Sequence, residues 1–288
     1  MTRVARLHSI HRYPIKSMGG ETLDEVELSS RGLPGDRGWA VRDEVRGGIR
    51  GAKQLAALMQ LRARSLGPPL ASGSLPAEIE LPDGATTRTD DPRAAEEISR
   101  AIGHTVTLWP LLPAEARDHY RRGAPTHDTM DTELRAVFGR QPDEPLPDLS
   151  KLPRELFEFE SPPGTYFDAY PLLVMTRASL ATMQSRAPDS RIDVRRFRPN
   201  LLLDDTENGS ELPEHGWIGS ELEIGDARIR IEISCDRCVM TTHGFADLPK
   251  DPGIMRALVR ENAGQLGAYA TVVRPGRVRV GDSVTRQS

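Results

Sequence analysis

The sequence is poor in cysteine: Cys235 and Cys238 are the only two among 288 residues. A single pair, three positions apart, cannot form the disulfide framework of a small secreted protein. It also cannot hold a cysteine-ligated iron–sulfur cluster, which takes about four cysteines. Electrons for any redox reaction of this chain would therefore come from outside it.

Long apolar runs and an excess of basic charge are also missing. The apolar runs at 171–175 and 201–203 are far shorter than the roughly 20 residues that cross a bilayer, and the N-terminus lacks a signal-peptide pattern. Lysine and arginine total 38 against 42 acidic residues, a net charge of -4 with no basic arm. We therefore expect a soluble cytoplasmic protein that binds neither nucleic acid nor a membrane.

The residue pattern that is present favours short strands. Helices are predicted only at 91–103, 176–187 and 251–264, from their capping residues and terminal glycines. Strands are predicted at 3–10, 23–28, 39–41, 79–81, 105–109, 171–175, 201–203, 228–233, 268–273 and 277–280. The last two are predicted to pair as a hairpin around Pro275-Gly276. Because strands and helices do not alternate regularly, we predict a strand-dominated mixed α/β fold, with a barrel-like β core and peripheral helices.

The segment 142–164 is rich in proline and acidic residues. Such a composition buries little apolar area, so we interpret the segment as a solvated surface connection. A mobile lid is the alternative.

The most informative motif is Cys235-Asp236-Arg237-Cys238, which follows the alternating strand at 228–233. A thioredoxin-like dithiol would need a helix directly after the first cysteine, and a zinc site would need two further ligands. Two buried, inert cysteines are the third alternative. Arg237 favours a thiolate beside it, and thiolates bind soft metal centres.

Basic and polar residues form a second group of candidates. Lys16 and Ser17 follow the first strand, Lys53 lies in a glycine-containing segment, and Arg195–Asn200 precedes another strand. Each alone is ordinary for a protein surface, but together they suit a phosphate group. Asp168 precedes a buried strand, where a turn or cap acceptor is the alternative role.

Six motifs occur in an order that resembles the MOSC family, in particular the branch of the mitochondrial amidoxime-reducing component and its bacterial relatives. They are Y-P-x-K-S at 13–17, G-D-R-x-W at 35–39, F-R-P-N at 197–200, C-x-R-C-x-x-T-T at 235–242, L-G-x-Y at 266–269 and V-x-V-G-D at 278–282. The resemblance implies an N-terminal MOSC β-barrel domain at 1–115, a connecting segment at 116–164 and a MOSC domain at 165–288. The two domains would share one molybdenum cofactor in its molybdopterin form.

The resemblance also implies roles for single residues. Cys238 matches the molybdenum ligand, and Asp168 matches an active-site aspartate near the metal. Contacts to the cofactor are implied for Lys16, Ser17, Lys53, Arg198, Asn200 and Arg237. This chain departs from the branch at Lys53, which replaces an arginine, at Asp236, which replaces a serine, and at Ala169 and Tyr170, which replace small hydroxyl residues.

The implied activity is an oxidoreductase that removes oxygen from small N-hydroxylated or other N–O compounds by oxygen-atom transfer at a Cys-ligated molybdenum. The alternative is a non-catalytic carrier that stores or delivers the cofactor or sulfur. No G-x-G-x-x-G stretch follows a strand, so no nicotinamide or flavin site is visible. A separate electron donor, a ferredoxin- or cytochrome-type protein with its own reductase, is therefore the implied partner.

Overall fold

The computed structural model describes residues 2–68, 73–205 and 211–287, and it confirms a strand-dominated mixed α/β fold. The strands of the described residues are β1 (Thr2–Arg12), β2 (Glu21–Leu23), β3 (Glu25–Leu28), β4 (Trp39–Asp43), β5 (Ile49–Arg50), β6 (Arg62–Ser65), β7 (Ala77–Glu80), β8 (Thr86–Arg88), β9 (Val106–Pro110), β10 (Leu172–Thr176), β11 (Leu201–Asp205), β12 (Glu221–Ile224), β13 (Ala227–Asp236), β14 (Gln265–Arg274), β15 (Gly276–Arg279) and β16 (Ser283–Arg286). The helices are α1 (Ala94–Ile102), α2 (Arg117–Tyr120), α3 (Met130–Phe138), α4 (Arg177–Arg186), α5 (Val194–Phe197) and α6 (Gly253–Asn262). None of these helices has the length and apolar character needed to cross a bilayer.

Seven strands close into a barrel in the order β11-β10-β14-β13-β12-β16-β1, and β1 pairs back onto β11. The alternation predicted for β13 places Ile229 and Ile231 in the barrel interior while Arg230 is exposed. The first strand thus completes a barrel whose other strands all come from the second half of the chain. The predicted boundaries at 115 and 165 stay a prediction.

Two three-stranded sheets, β5-β4-β9 and β6-β7-β8, also lie in the N-terminal half. Their core includes Ile15, Leu58 and Ile79, and residues that follow Cys238 along the chain, such as Met240 and Phe245, pack into it. The two halves therefore share apolar contacts where the cysteine motif lies.

The predicted hairpin at 268–273 and 277–280 is wrong. β14 stays in the barrel through Arg274, whereas β15 pairs antiparallel with β3. A turn signal shows where a strand ends, but not which edge the next strand joins. The helix predicted at 91–103 begins later than expected, because α1 starts at Ala94, and the Asp91 carboxylate accepts a hydrogen bond from the Arg93 amide.

The segment 142–164 is a solvated connection only in part. Phe157 is 65% exposed, but Phe159, Glu160 and Ser161 are buried. Phe159 packs with Tyr120 and Tyr166, aromatic residues that the acidic composition of the segment does not reveal. The end of the segment is therefore part of the packed protein.

Candidate cofactor site

One cavity brings together seven of the eight predicted site residues. It lies where the end of β13, the loop after β1 and the approach to β11 meet. Lys53 does not line the cavity but contacts Asp168, which does. The lining residues are Lys16, Ser17, Arg37, Asp168, Tyr170, Leu173, Arg196, Phe197, Arg198, Asn200, Cys235, Asp236, Arg237, Cys238, Met240 and Tyr269.

Cys238 lies just past the end of β13, at the start of a 3-10 turn formed by Val239–Thr242. Its carbonyl accepts hydrogen bonds from the Thr241 amide, at 3.2 Å, and from the Thr241 hydroxyl, at 3.1 Å. The half-buried cysteine packs against the apolar core of the N-terminal half. Cys235 lies within β13, and the next element is a 3-10 turn and not an α-helix, so the backbone is unlike that of a thioredoxin-type dithiol.

Cys235 is buried and has a different environment. The Arg237 Nη1 lies 3.1 Å from its sulfur, while Nη2 of the same guanidinium donates to the Phe197 carbonyl at 2.5 Å. Burial raises the pKa of the Cys235 thiol in spite of the nearby Arg237. Arg237 therefore ties the cysteine motif to the F-R-P-N motif.

A metal at Cys238 would have few protein ligands. Within residues 2–68, 73–205 and 211–287, no three His, Cys, Asp or Glu side chains are grouped so that they could hold an ion. A structural zinc site takes about four protein ligands. A metal on this thiol would take its other ligands from a cofactor or from solvent.

Asp168 accepts hydrogen bonds from two lysines. Its Oδ1 lies 2.9 Å from Lys16 Nζ and 3.3 Å from Lys53 Nζ. Burial opposes ionisation, but the two ammonium groups hold the pKa of Asp168 well below its usual range. Burial lowers the pKa of Lys16, whereas the attraction of Asp168 and Cys238 overcomes burial and raises the pKa of Lys53.

Lys16 is a buried ammonium with three partners. Besides Asp168, it donates to Ser161 Oγ at 3.2 Å and to the Tyr166 carbonyl at 2.9 Å. The sequence placed Ser161 in a solvated connection, yet it belongs to the environment of the predicted site. The acidic connection therefore helps to orient the lysine that holds Asp168.

Arg198 and Arg37 lie over the same aromatic ring. Their Cζ atoms are 4.1 Å and 5.2 Å from the Tyr13 ring centroid. Arg198 adopts a left-handed backbone conformation that ends α5, and its Nη1 donates to the Met18 carbonyl. Burial, with the like charge of Arg37, lowers the pKa of Arg198 to about 10. Arg37 was not predicted as a site residue, although its G-D-R-x-W motif was the available signal.

Ser17 and Asn200 differ in how many of their side-chain polar groups already make hydrogen bonds within the protein. Ser17 Oγ accepts from the Ala52 amide at 2.8 Å, so its own proton is left to donate. A side chain at Gly51 would place Cβ 2.7 Å from Ser17 Oγ, which explains the glycine. The Asn200 amide instead joins two strands, because it accepts from the Leu173 amide and donates to the His11 carbonyl.

Arg196, Tyr170 and Tyr269 also line the cavity. Arg196 lies in the candidate segment 195–200, but the sequence predicted a role for none of the three. Arg196 is fully buried and donates to main-chain carbonyls, including those of Thr241 and His243. Tyr170 and Tyr269 stack with ring centroids 5.3 Å apart. In the sequence, Tyr170 replaces a small hydroxyl residue of the related branch, and Tyr269 is the last residue of the L-G-x-Y motif. Neither pattern indicates that the two rings lie in contact.

The cavity suits an anionic ligand. Arg37, Lys16, Arg198 and Arg237 line it, whereas its lining carboxylates are Asp168 and Asp236. Arg198 Nη2 and Arg237 Nε are buried and have no hydrogen-bond partner among the described residues. Buried guanidinium donors without partners are costly, and a phosphate or a similar anion would satisfy them. The residues present therefore fit a phosphate-bearing cofactor.

Two protein-family models match this chain. The MOSC domain model matches residues 162–285, and the model of the MOSC N-terminal beta barrel domain matches residues 4–99. Mitochondrial amidoxime-reducing component 1 of Xenopus laevis is 25% identical over 296 residues, which cover 95% of this chain and 80% of that protein. The Mus musculus protein of the same name is 32% identical over 132 residues, which cover 41% of this chain and 37% of that protein.

A solved structure, the YuaD protein from Bacillus subtilis, aligns over 98% of this chain and 94% of its own, with a TM-score of 0.45 and 14% identity. The assignment itself rests on the two family models, because together they match about three quarters of the chain. The chain belongs to the MOSC-domain family, with a MOSC N-terminal β-barrel domain followed by a MOSC domain.

Proposed function

We propose that this chain is a molybdenum-cofactor-dependent oxidoreductase that reduces small N-hydroxylated or other N–O compounds. One observation carries the proposal: a half-buried cysteine, Cys238, lines the same cavity as Arg198 and Arg237, and each of these arginines has a buried guanidinium nitrogen without a partner among the described residues. A soft ligand beside anion-binding donors suits a cofactor that has both a metal and a phosphate. The similarity to amidoxime-reducing components supports the substrate class.

The residues divide into those that would bind the metal and those that would bind the anion. Cys238 would ligate molybdenum, while Ser17, Arg37 and Arg198 offer donors for the pterin and phosphate ends. When bound, the cofactor supplies a metal that accepts the oxygen atom of the substrate. The protein contributes position and charge.

Asp168 would orient the substrate as a carboxylate. Because Lys16 and Lys53 hold its pKa well below the usual range, it stays ionised near neutral pH and is a poor proton donor. Its oxygens would accept hydrogen bonds from the N–H or O–H of an N-hydroxylated substrate. Reduction breaks the N–O bond, consumes two electrons and two protons and releases water, so the protons come from other groups or from solvent.

The electrons would come from a separate protein. With Cys238 on the metal, Cys235 alone cannot hold an iron–sulfur cluster. We propose a ferredoxin- or cytochrome-type donor with its own reductase. Contacts of this kind are usually small and transient.

The test compares the two cysteines. Molybdenum and pterin are measured in purified wild type, Cys238→Ala and Cys235→Ala, and each protein is assayed for benzamidoxime reduction with a reduced viologen. We expect Cys238→Ala to lose the metal and the activity, while Cys235→Ala keeps most of the metal. Equal loss of metal from both variants would contradict the ligand assignment. Stoichiometric cofactor in the wild type without turnover would instead favour the carrier.

A further inference from the structure

Two stacked tyrosines form one wall of the cavity. Tyr170 and Tyr269 have ring centroids 5.3 Å apart and an angle of 28° between ring planes. Both line the cavity together with Asp168 and Cys238. The aromatic surface therefore lies in the same cavity as the thiol and the carboxylate of the proposed site.

The barrel fixes the position of both rings. Tyr269 lies in the middle of β14, opposite Leu173 of β10 on one side and Ile233 of β13 on the other. Tyr170 precedes β10 by two residues and follows Asp168 by two. Ring and carboxylate are thus presented from one short segment that leads into a buried strand.

Another tyrosine pair in this chain shows what a purely structural pair looks like. Tyr120 and Tyr166 are at most 1% exposed, and their hydroxyls donate to the carbonyls of Leu112 and Pro110. Tyr170 and Tyr269 are only partly buried, and they line a cavity. The Tyr170–Tyr269 pair therefore has aromatic surface that a ligand can contact.

A flat ring suits this wall. Aromatic groups stack in offset arrangements with centroids roughly 4.5–7 Å apart, the spacing already adopted by the two tyrosines. An aryl group placed against the pair would lie in the same cavity as Asp168, whose carboxylate can accept hydrogen bonds from the N–H and O–H groups attached to the ring. We propose that Tyr170 and Tyr269 form an aryl subsite that makes N-hydroxylated compounds with a flat aromatic substituent preferred over aliphatic ones.

The inference rests on the proposed function and is tested with two substrates. Benzamidoxime has the aryl ring and acetamidoxime lacks it, while both have the same reducible group. Wild type, Tyr170→Phe, Tyr170→Leu and the control Phe157→Leu are compared at equal molybdenum content. Phe157 is 65% exposed and does not line the cavity.

For Tyr170→Leu we expect kcat/KM for benzamidoxime to fall about threefold to tenfold, the size of one aromatic stacking contact. Acetamidoxime should change by less than about twofold, and Tyr170→Phe should keep the preference for the aryl substrate. An equal loss for both substrates, or no loss for benzamidoxime, would overturn the subsite.

Failure of the proposed function would look different, because the loaded wild type would then reduce neither substrate. Calorimetric titration with benzamide and acetamide, which lack the N–O bond, decides the subsite in that case. We expect benzamide to bind more tightly than acetamide to the wild type, and this difference to shrink in Tyr170→Leu. Equal affinities in the wild type would refute the aryl subsite without reference to turnover.

Discussion

Replacing Arg196 by methionine should release the segment that follows Cys238. The Arg196 guanidinium donates to the carbonyls of Thr241 at 3.2 Å, His243 at 2.9 Å and Pro249 at 2.7 Å, and to that of Arg191 at 3.1 Å. Methionine would fill much of the space of the aliphatic stem but donate nothing. The end of the 3-10 turn and the main chain that follows it would then lose their shared donor.

The magnitude follows from these contacts. A hydrogen bond to a charged group contributes about 1.5–3 kcal/mol. Three of them hold the segment after Cys238, but Pro249 is exposed and His243 only half-buried, so water would replace part of what is lost. We expect the free energy of unfolding to fall by about 3–5 kcal/mol.

Arg195 provides a matched control one residue away. It pairs with Asp193 and Asp247, each at 2.7 Å, and its side chain is 43% exposed. Exposed ion pairs contribute about 0–1 kcal/mol, so Arg195→Met should change stability little. Both variants make the same substitution and remove one guanidinium.

The assay is urea unfolding combined with amide hydrogen exchange. In Arg196→Met we expect faster exchange across residues 239–250 and a lower molybdenum content, while β13 and β14 keep their protection. Equal destabilisation in the two variants, or unchanged exchange at 239–250 in Arg196→Met, would refute the reasoning.

Three further predictions concern the cofactor and its electrons. Lys16→Ala and Arg198→Ala should each lower molybdenum per folded chain, because each removes a charge worth about 1.5–3 kcal/mol per contact; unchanged occupancy in both would put the pocket elsewhere. Lys53→Arg should keep or slightly raise cofactor content, because the positive charge stays and a guanidinium can donate two hydrogen bonds to one anion. A steep fall in cofactor content would contradict this. The isolated chain should reduce benzamidoxime with a viologen dye but not with NADPH alone; robust NADPH-driven turnover would reveal a nucleotide site.

Local patterns predicted the local parts of the fold. Thr176 caps α4 as expected, since its hydroxyl accepts from the Ser179 amide, and Gly103 ends α1 in a left-handed conformation. Pairing partners far apart in sequence were not predictable in this way. β1 pairs with β11 and β16, and β15 with β3, because edges are matched by packing of the whole barrel and not by any local signal.

The sequence predicted the site residues that belong to a recognisable motif. It did not predict residues whose role depends on which side chain is buried. Arg195 and Arg196 are adjacent in a helix of four residues, too short for a hydrophobic period to show which one faces inward. One is a surface ion pair and the other is fully buried. Lysine scarcity was an unused signal, because two of only four lysines among the 38 basic residues meet at Asp168.

Two of the predicted cofactor contacts, Lys16 and Arg198, differ in whether their hydrogen-bond donors are already used. This difference relates cofactor binding to the pKa of Asp168. The three protons of Lys16 already have partners, whereas Arg198 Nη2 has none among the described residues. A phosphate beside Lys16 would therefore draw on the ammonium that Asp168 uses, and its negative charge would also disfavour the carboxylate. The pKa of Asp168 should consequently be higher in cofactor-loaded protein than in cofactor-free protein. Carboxyl-carbon NMR titration, with Asp168→Asn to assign the signal, measures both values. Equal pKa values would show that the anion binds at Arg198 and Arg37 without engaging Lys16.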